Sequence, residues 1–482
     1  MARALTLMEK FLTADGESRD EMLRASPELV TTVKSRLGDA VGDELLRMAT
    51  SRPAGDLSAG APKNVLFVPG VMGSTLLSKG LGGVWWLDIM FARDKLNGLA
   101  LAADGTDLDA DANVCALGID VQYGTFRRAI AASEKFGGSG EFPYDWRKSL
   151  ASSSADLRDS VLRCFEDTGK KVHLVGHSMG GLMIRSALML HGDAMWPKVG
   201  KVVFIGTPHY GSASIAGYLK NHLWGFEALA TLGMFLSRDT FRSLRGVLSL
   251  LPAPVGVYPG TREPGFKPED HPCANFDMYD APAWKLADLD AMQTRELQAV
   301  LDETRRFHKD LHGWHNGLLQ TFKDRMLMIA GVGQEGLFRL EFDRAFWGAW
   351  ERTKKERTRV EGNIHRDGDG RVPLASAQLE DVAIRYVKGV HGGLTGLPAV
   401  MADAIAWLEG KPLKLPVSAK GALGAHLGDG VASESPALDG AAGGDLYRSL
   451  PEYESPTPEF KAEIERRIEA GQFSAVNRAR LL

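Results

Sequence analysis

Cysteine is scarce in this chain of 482 residues: only Cys115, Cys164 and Cys273. So sparse and odd a set builds no disulfide framework, and it shows no metal-ligand spacing. The plain reading is three thiols in a reducing compartment. No apolar run reaches the ~18 residues expected of a membrane-spanning helix. The first sixteen residues interleave Arg3, Glu9, Lys10 and Asp15 with apolar ones. Without a continuous apolar stretch before a small-residue cleavage site, they do not read as a signal peptide. Charge of one sign is also missing. Lys and Arg total 57 against 61 Asp and Glu, a formal net charge of −4, and no basic stripe is present, which argues against a nucleic-acid partner. There is no internal repeat.

What the chain does have is apolar material, 44% of its residues, enough for a substantial core. A single core rarely grows beyond roughly 250–300 residues, so one large domain with insertions or an added module is expected. Residues 1–62 read as a helical N-terminal appendage and linker. Leu5, Met8, Phe11 and Leu12 share one helical face, as do Leu29, Val30, Val33 and Leu37. Residues 63–410 form the main domain. Short continuous apolar runs at 65–68, 172–175, 202–205, 326–330 and 382–387 suit strands covered on both faces. Helical patterns lie between several of them, notably 179–190 and 398–409. The alternation predicts an α/β fold with a mostly parallel central sheet. Residues 209–322 are too long for a plain crossover and read as an inserted cap. Residues 411–482 read as a Gly/Ala/Ser-rich flexible linker followed by an amphipathic helix, in which Phe460, Ile464 and Ile468 form a stripe.

The strongest local signal is Gly176-His177-Ser178-Met179-Gly180. It follows an apolar strand and precedes a helix, the setting that a G-x-S-x-G nucleophile elbow requires. A serine hydroxyl needs a base to take its proton and an acid to orient that base, and in this setting both partners lie C-terminal. The base is read as His391, in a small-residue loop after the last strand run. The acid comes from Asp367-Gly368-Asp369, with Asp369 preferred over Asp367. The oxyanion of acyl transfer calls for two backbone donors. Met179 follows the nucleophile, and Val71 lies in the loop Pro69-Gly70-Val71-Met72-Gly73-Ser74 after the first core strand.

Taken together, the motifs resemble the lecithin:cholesterol acyltransferase family. The resemblance runs through Asn64–Ser74, Trp85-Trp86-Leu87-Asp88, Pro143-Tyr144-Asp145-Trp146-Arg147, the elbow, Gly206-Thr207-Pro208-His209-Tyr210-Gly211, Met278–Trp284, the acidic loop and His391. It implies an α/β-hydrolase fold with a cap or lid, a triad at Ser178, Asp369 and His391, oxyanion donors at Val71 and Met179, and no cofactor or metal. Where the family often has Gly-Thr-Val, this chain has Gly-Arg-Val, and Arg371 reads as a surface change.

The expected activity is a serine-dependent acyl hydrolase or O-acyltransferase on lipid esters, phospholipids among them. The alternatives are a carboxylesterase on non-phospholipid esters, a non-catalytic lipid-binding protein and a toxin-like effector. The expected partner is a lipid ester. A cytoplasmic location is expected, with transient membrane-surface contact as a further option. Two apolar clusters, residues 85–91 and 224–236, read either as core or as a lipid-facing lid. If ~300 Å² of them faced a bilayer, burial would give roughly 7 kcal/mol gross.

Overall fold

A computed structural model describes residues 5–37, 39–50, 63–86, 93–133, 135–136, 138–219, 237–267, 271–273, 276–286, 288–334, 341–343, 350–352 and 367–424. The strands are β1 (Val65–Val68), β2 (Ser74–Ser78), β3 (Val84–Trp86), β4 (Val114–Ile119), β5 (Gly140–Glu141), β6 (Val172–His177), β7 (Val199–Ile205), β8 (Met326–Val332), β9 (Glu341–Asp343), β10 (Trp350–Arg352) and β11 (Ala383–Lys388). Six of them form the central sheet in the order β11-β8-β7-β6-β1-β5, and every pairing in it is parallel.

The apolar runs of β1, β7 and β8 are unbroken because both faces of this sheet are covered there. Successive side chains point to opposite faces. Leu66, Val68, Leu174, Val202, Phe204, Met326 and Met328 enter one core, with the helices α6 (Leu150–Thr168) and α7 (Met179–Met195). The alternate residues Val65, Phe67, Val175, Val203, Ile205, Leu327 and Ile329 enter the other. That second core is closed by α5 (Gly124–Ala131) and a C-terminal helix, Pro398–Glu409. The chain leaves β1 toward the β5 edge and returns on the other side, to β6. A crevice for ligands is expected where the strand order reverses in this way, outside the carboxyl ends of β1 and β6.

Four helices precede the sheet: α1 (Leu7–Thr13), α2 (Gly16–Ala25), α3 (Pro27–Leu37) and α4 (Asp39–Thr50). Their apolar residues Met8, Phe11, Leu12, Leu23, Leu29 and Val33 make a small core that reaches Val121. Polar ties join them to the body. The Thr75 hydroxyl donates to the Leu12 carbonyl, and the Val84 N–H donates to the buried Glu9 carboxylate. Arg127 pairs with Asp20.

Beyond the parallel sheet, β2, β3 and β4 form a separate antiparallel sheet that no sequence pattern had indicated. Trp85 and Trp86 of β3 are 4% and 7% exposed, so they belong to the core and not to a lipid-facing surface. The rest of the two apolar clusters, residues 87–91 and 224–236, lies outside the described residues. After β7 come α8 (Ala213–Leu219), α9 (Arg238–Ser243) and the 27-residue α10 (Ala291–Gly317), which packs against α7. We label the C-terminal helix Pro398–Glu409 α11.

Residues 415–424 were expected to begin a flexible linker. They instead pack on the sheet edge: the Tyr386 N–H donates to the Pro416 carbonyl, and Ala419 and Ala422 of a short helix are buried near Val332 and Tyr386. Small side chains let that helix sit close, a role that composition alone had read as disorder. The expected helix near Phe460 lies outside the described residues. Among the described residues, no helix is long and apolar enough to cross a membrane.

Candidate active site

The carboxyl end of β6 turns directly into α7 through Ser178, whose backbone has φ 52° and ψ −126°. Such a conformation is costly for a residue with a side chain and holds only where its surroundings impose it. Three glycines make the turn possible. A Cβ on Gly176 would lie 2.7 Å from the Gly181 nitrogen, and one on Gly180 would lie 2.2 Å from the Val68 carbonyl oxygen. A Cβ on Gly181 would strike the Thr207 side chain at 2.0 Å. Ser178 is thereby lifted to the end of the sheet, with the N-terminus of α7 behind it. That end of a helix carries partial positive charge.

His391 and Asp369 meet Ser178 there. The Asp369 carboxylate accepts from His391 Nδ1 at 2.7 Å. Nε2 is then left unprotonated, and it accepts the Ser178 hydroxyl at 2.9 Å. The carboxylate is held from its far side by the N–H groups of Arg371 and Val372, at 3.0 and 2.8 Å. The His391 N–H also donates to the Asp369 carbonyl, which ties the two loops together. All three side chains are buried. Asp367 takes no part in this relay. Its carboxylate accepts from the N–H groups of Gly333 and Gly368, closing the turn that presents Asp369.

The loop after β1 faces the same point. Met72 has φ 60°, so strained backbones flank the site on both sides. Val71 borders the site and Met179 directly follows Ser178 as the first residue of α7; among the described residues neither N–H has an acceptor. For Met179 this follows from its place as the first residue of a helix.

The Pro-Tyr-Asp-Trp-Arg segment supports this loop from beneath. The Tyr144 hydroxyl donates to the Pro69 carbonyl, and the Trp146 indole donates to the Ser74 carbonyl. Trp86 meets Trp146 edge-on at 5.1 Å and donates its own N–H to the Met72 carbonyl. Arg147 is fully buried, paired with both Asp145 and Asp107 at 2.7 Å.

A cavity opens over Ser178 and His391. Its wall is mostly apolar: Val71 and Met72 from the β1 loop, and Ile215, Phe241, Val247 and Leu250 from the segment after β7. Arg371 and Val372 complete it, so Arg371 borders the site and is no mere surface change. Sequence reasoning missed Ile215, Phe241, Val247 and Leu250, because nothing in their spacing separates them from ordinary core.

Comparison with known proteins comes to the same place. Residues 122–261 match the family model for lecithin:cholesterol acyltransferase. This stretch is lecithin:cholesterol acyltransferase-like. It contains the Pro-Tyr-Asp-Trp-Arg segment, the elbow and most of the cavity wall. No curated protein matches the chain. Among solved structures, the chain is similar to one in the Tle4–Tli4 complex, at 15% identity with a TM-score of 0.46, covering 73% of this chain and 97% of that one. It is also similar to the mature form of the Bacillus licheniformis lipase BlEst2 (17%, 0.32, 70% and 87%) and to the metagenomic carboxyl esterase MGS0156 (14%, 0.33, 75% and 80%). The central sheet, its flanking helices and the elbow make this an α/β-hydrolase fold. The family match agrees with a lipid-acting hydrolase or acyltransferase.

Proposed function

We propose that this chain is a serine acyl hydrolase or O-acyltransferase acting on lipid esters through an acyl-enzyme on Ser178. The observation that carries the reading is the continuous Asp369–His391–Ser178 hydrogen-bonded relay at the base of an apolar cavity. In the first step His391 Nε2 takes the Ser178 proton as Oγ bonds to the ester carbonyl carbon. The carbonyl oxygen becomes an oxyanion, received by the N–H groups of Val71 and Met179. Loss of one such donor typically costs 10²–10³ in rate. The carbonyl re-forms, the C–O bond to the alcohol breaks, and that alcohol leaves with the proton from His391. A water or second alcohol then gives its proton to His391 and attacks the acyl carbon; the bond from that carbon to Ser178 Oγ breaks, and His391 returns the proton to Oγ.

Asp369 orients the imidazole and stabilises its charged form, and its two backbone donors keep it in place. The cavity wall offers apolar surface to an acyl chain, and its mostly apolar lining lowers the local dielectric around the oxyanion site. The test is mass spectrometry of phospholipid vesicles incubated with the purified protein, with and without added sterol or diacylglycerol, against Ser178→Ala. Free fatty acid and lysolipid from wild type alone identify a phospholipase, and acyl transfer to the added alcohol identifies a transferase. Unchanged lipids, with p-nitrophenyl butyrate still hydrolysed, would move the substrate class to non-lipid esters. If wild type also fails on that ester and takes no phosphonate label, the catalytic reading is wrong.

A further inference from the structure

We propose that Tyr123 and His177 are positioning residues, forming a hydrogen-bonded strut that joins the oxyanion loop to the backbone of His391. The proposal rests on the catalytic reading above and extends it to two side chains that do not touch substrate.

The strut has three links. The Gly70 N–H meets the Tyr123 hydroxyl at 3.1 Å, that hydroxyl meets His177 Nδ1 at 3.0 Å, and His177 Nε2 meets the His391 carbonyl at 3.3 Å. One arrangement of protons satisfies all three. A backbone N–H can only donate, so the Tyr123 oxygen accepts at Gly70. Its single proton then goes to His177 Nδ1. A carbonyl can only accept, so His177 carries its own proton on Nε2. Burial, and the nearby His391 ring, push the His177 pKa down to about 3, which keeps this tautomer neutral while His391 gains and loses a proton. The two imidazoles lie 5.1 Å apart. Both strut residues are buried, and Tyr123 is braced by the Phe67 ring at 4.8 Å.

The strut joins two pieces of backbone that neither sheet ladder nor long helix holds. One is the glycine-bearing loop around Gly70 and Gly73. The other is the Gly389–Gly393 loop that carries His391. Both must keep their spacing while charge develops between them. A misplacement on the order of 1 Å can cost about 10²-fold in rate. Tyr123 sits on a single turn, Val121–Tyr123, set by the Asp120 side chain accepting from the Gln122 N–H, and so has a fixed base from which to reach both.

The experiment measures kcat and KM on p-nitrophenyl butyrate for wild type, Tyr123→Phe, His177→Leu, the double variant and His177→Gln. A phosphonate label on Ser178 counts competent sites in each preparation. Tyr123→Phe and His177→Leu are expected to lower kcat per labelled site by roughly 10–100-fold with KM within about threefold. The double variant should be no worse than the poorer single one, because each cut breaks the same strut. Gln can both donate and accept, so His177→Gln should recover most of the loss. Full kcat per labelled site in both single variants would overturn the proposal, even if fewer sites survive, and so would multiplicative losses in the double variant. A wild type that neither turns over ester nor takes label removes the catalytic reading and the strut with it.

Discussion

Acid should unfold this protein well before its carboxylates protonate. Burial holds the imidazole of His177 down at about pKa 3, and those of His308 and His315 at about 4, against an ordinary 6.5. All three side chains are at most 2% exposed. Their folded-state pKa values lie below the unfolded ones, so between 6.5 and about 4 the unfolded chain binds protons that the native state refuses. The stabilisation is whole above pH 6.5 and is lost as the pH falls toward the folded values. At pH 5 each histidine gives up about 2 kcal/mol, about 6 kcal/mol for the three. Whole domains have about 5–15 kcal/mol to lose. His209 is also held well below its ordinary value by burial and by Arg185 beside it, and it adds in the same direction.

The assay is urea unfolding at pH 7 and pH 5 for wild type and His308→Gln. Gln at 308 stays neutral at every pH. The variant pays at pH 7 for disturbed packing, but its stability should fall by about 2 kcal/mol less between the two pH values. An identical fall in both proteins would refute the reasoning, because His308 would then be titrating normally or carrying no linkage.

Four further outcomes test the site and its supports. Asp369→Asn should lower kcat by about 10⁴-fold on ester substrate, by presenting the wrong tautomer to Ser178. Asp367→Asn should instead cost roughly 1–3 kcal/mol in denaturant unfolding, with turnover per phosphonate-labelled site nearly unchanged, since its partners are the Gly333 and Gly368 N–H groups. Arg147→Met removes the buried cation shared by the Asp145 and Asp107 carboxylates, leaving Asp145 to Lys148 and the backbone N–H at 147, and Asp107 to the Val114 N–H, and should cost about 3–5 kcal/mol in the same unfolding assay. Gly181→Ala drives a methyl into Thr207 and should cost about 1–3 kcal/mol, with the Ser178 turn losing phosphonate reactivity as it shifts.

The central sheet was legible because its information is local. Five of its strands carry a short, largely apolar run, unbroken in β1, β7 and β8 and interrupted by His173 in β6 and Arg385 in the partly exposed β11, and each run lies within or against an observed strand. The helix Pro398–Glu409 was also read at its observed ends, its Pro start and Gly410 stop being chemical signals. The antiparallel sheet of β2, β3 and β4 was not legible. Its strands are three to six residues long, with register shifts in both pairings, and β4 alternates weakly because it is only partly buried. Trp85 and Trp86 show the same limit. An aromatic pair looks alike in sequence whether it faces lipid or a neighbouring core, and here a T-shaped contact with Trp146, sixty residues away, places Trp86.

At the site, the residues that sequence reasoning could name are those whose chemistry leaves a motif: a serine between glycines, an aspartate in an acidic turn, a histidine among small residues. The residues it could not name act through partners far along the chain. Tyr123 stands in no motif, yet it touches Gly70, 53 positions before it, and His177, 54 after. His177 was seen only as the letter before the nucleophile, although its other partner, His391, is 214 positions on. The Pro-Tyr-Asp-Trp-Arg segment falls between these cases. It was legible as a family signature and illegible as a device, because its physical sense lies in what it holds: the Pro69 and Ser74 carbonyls at the two ends of the loop after β1. In the proposed mechanism this strained loop presents the Val71 N–H, and a loop with that task cannot brace itself. The fold therefore braces it from two sides, by Tyr144 and Trp146 beneath and by Tyr123 beside, and only the first brace sits in a contiguous stretch of sequence.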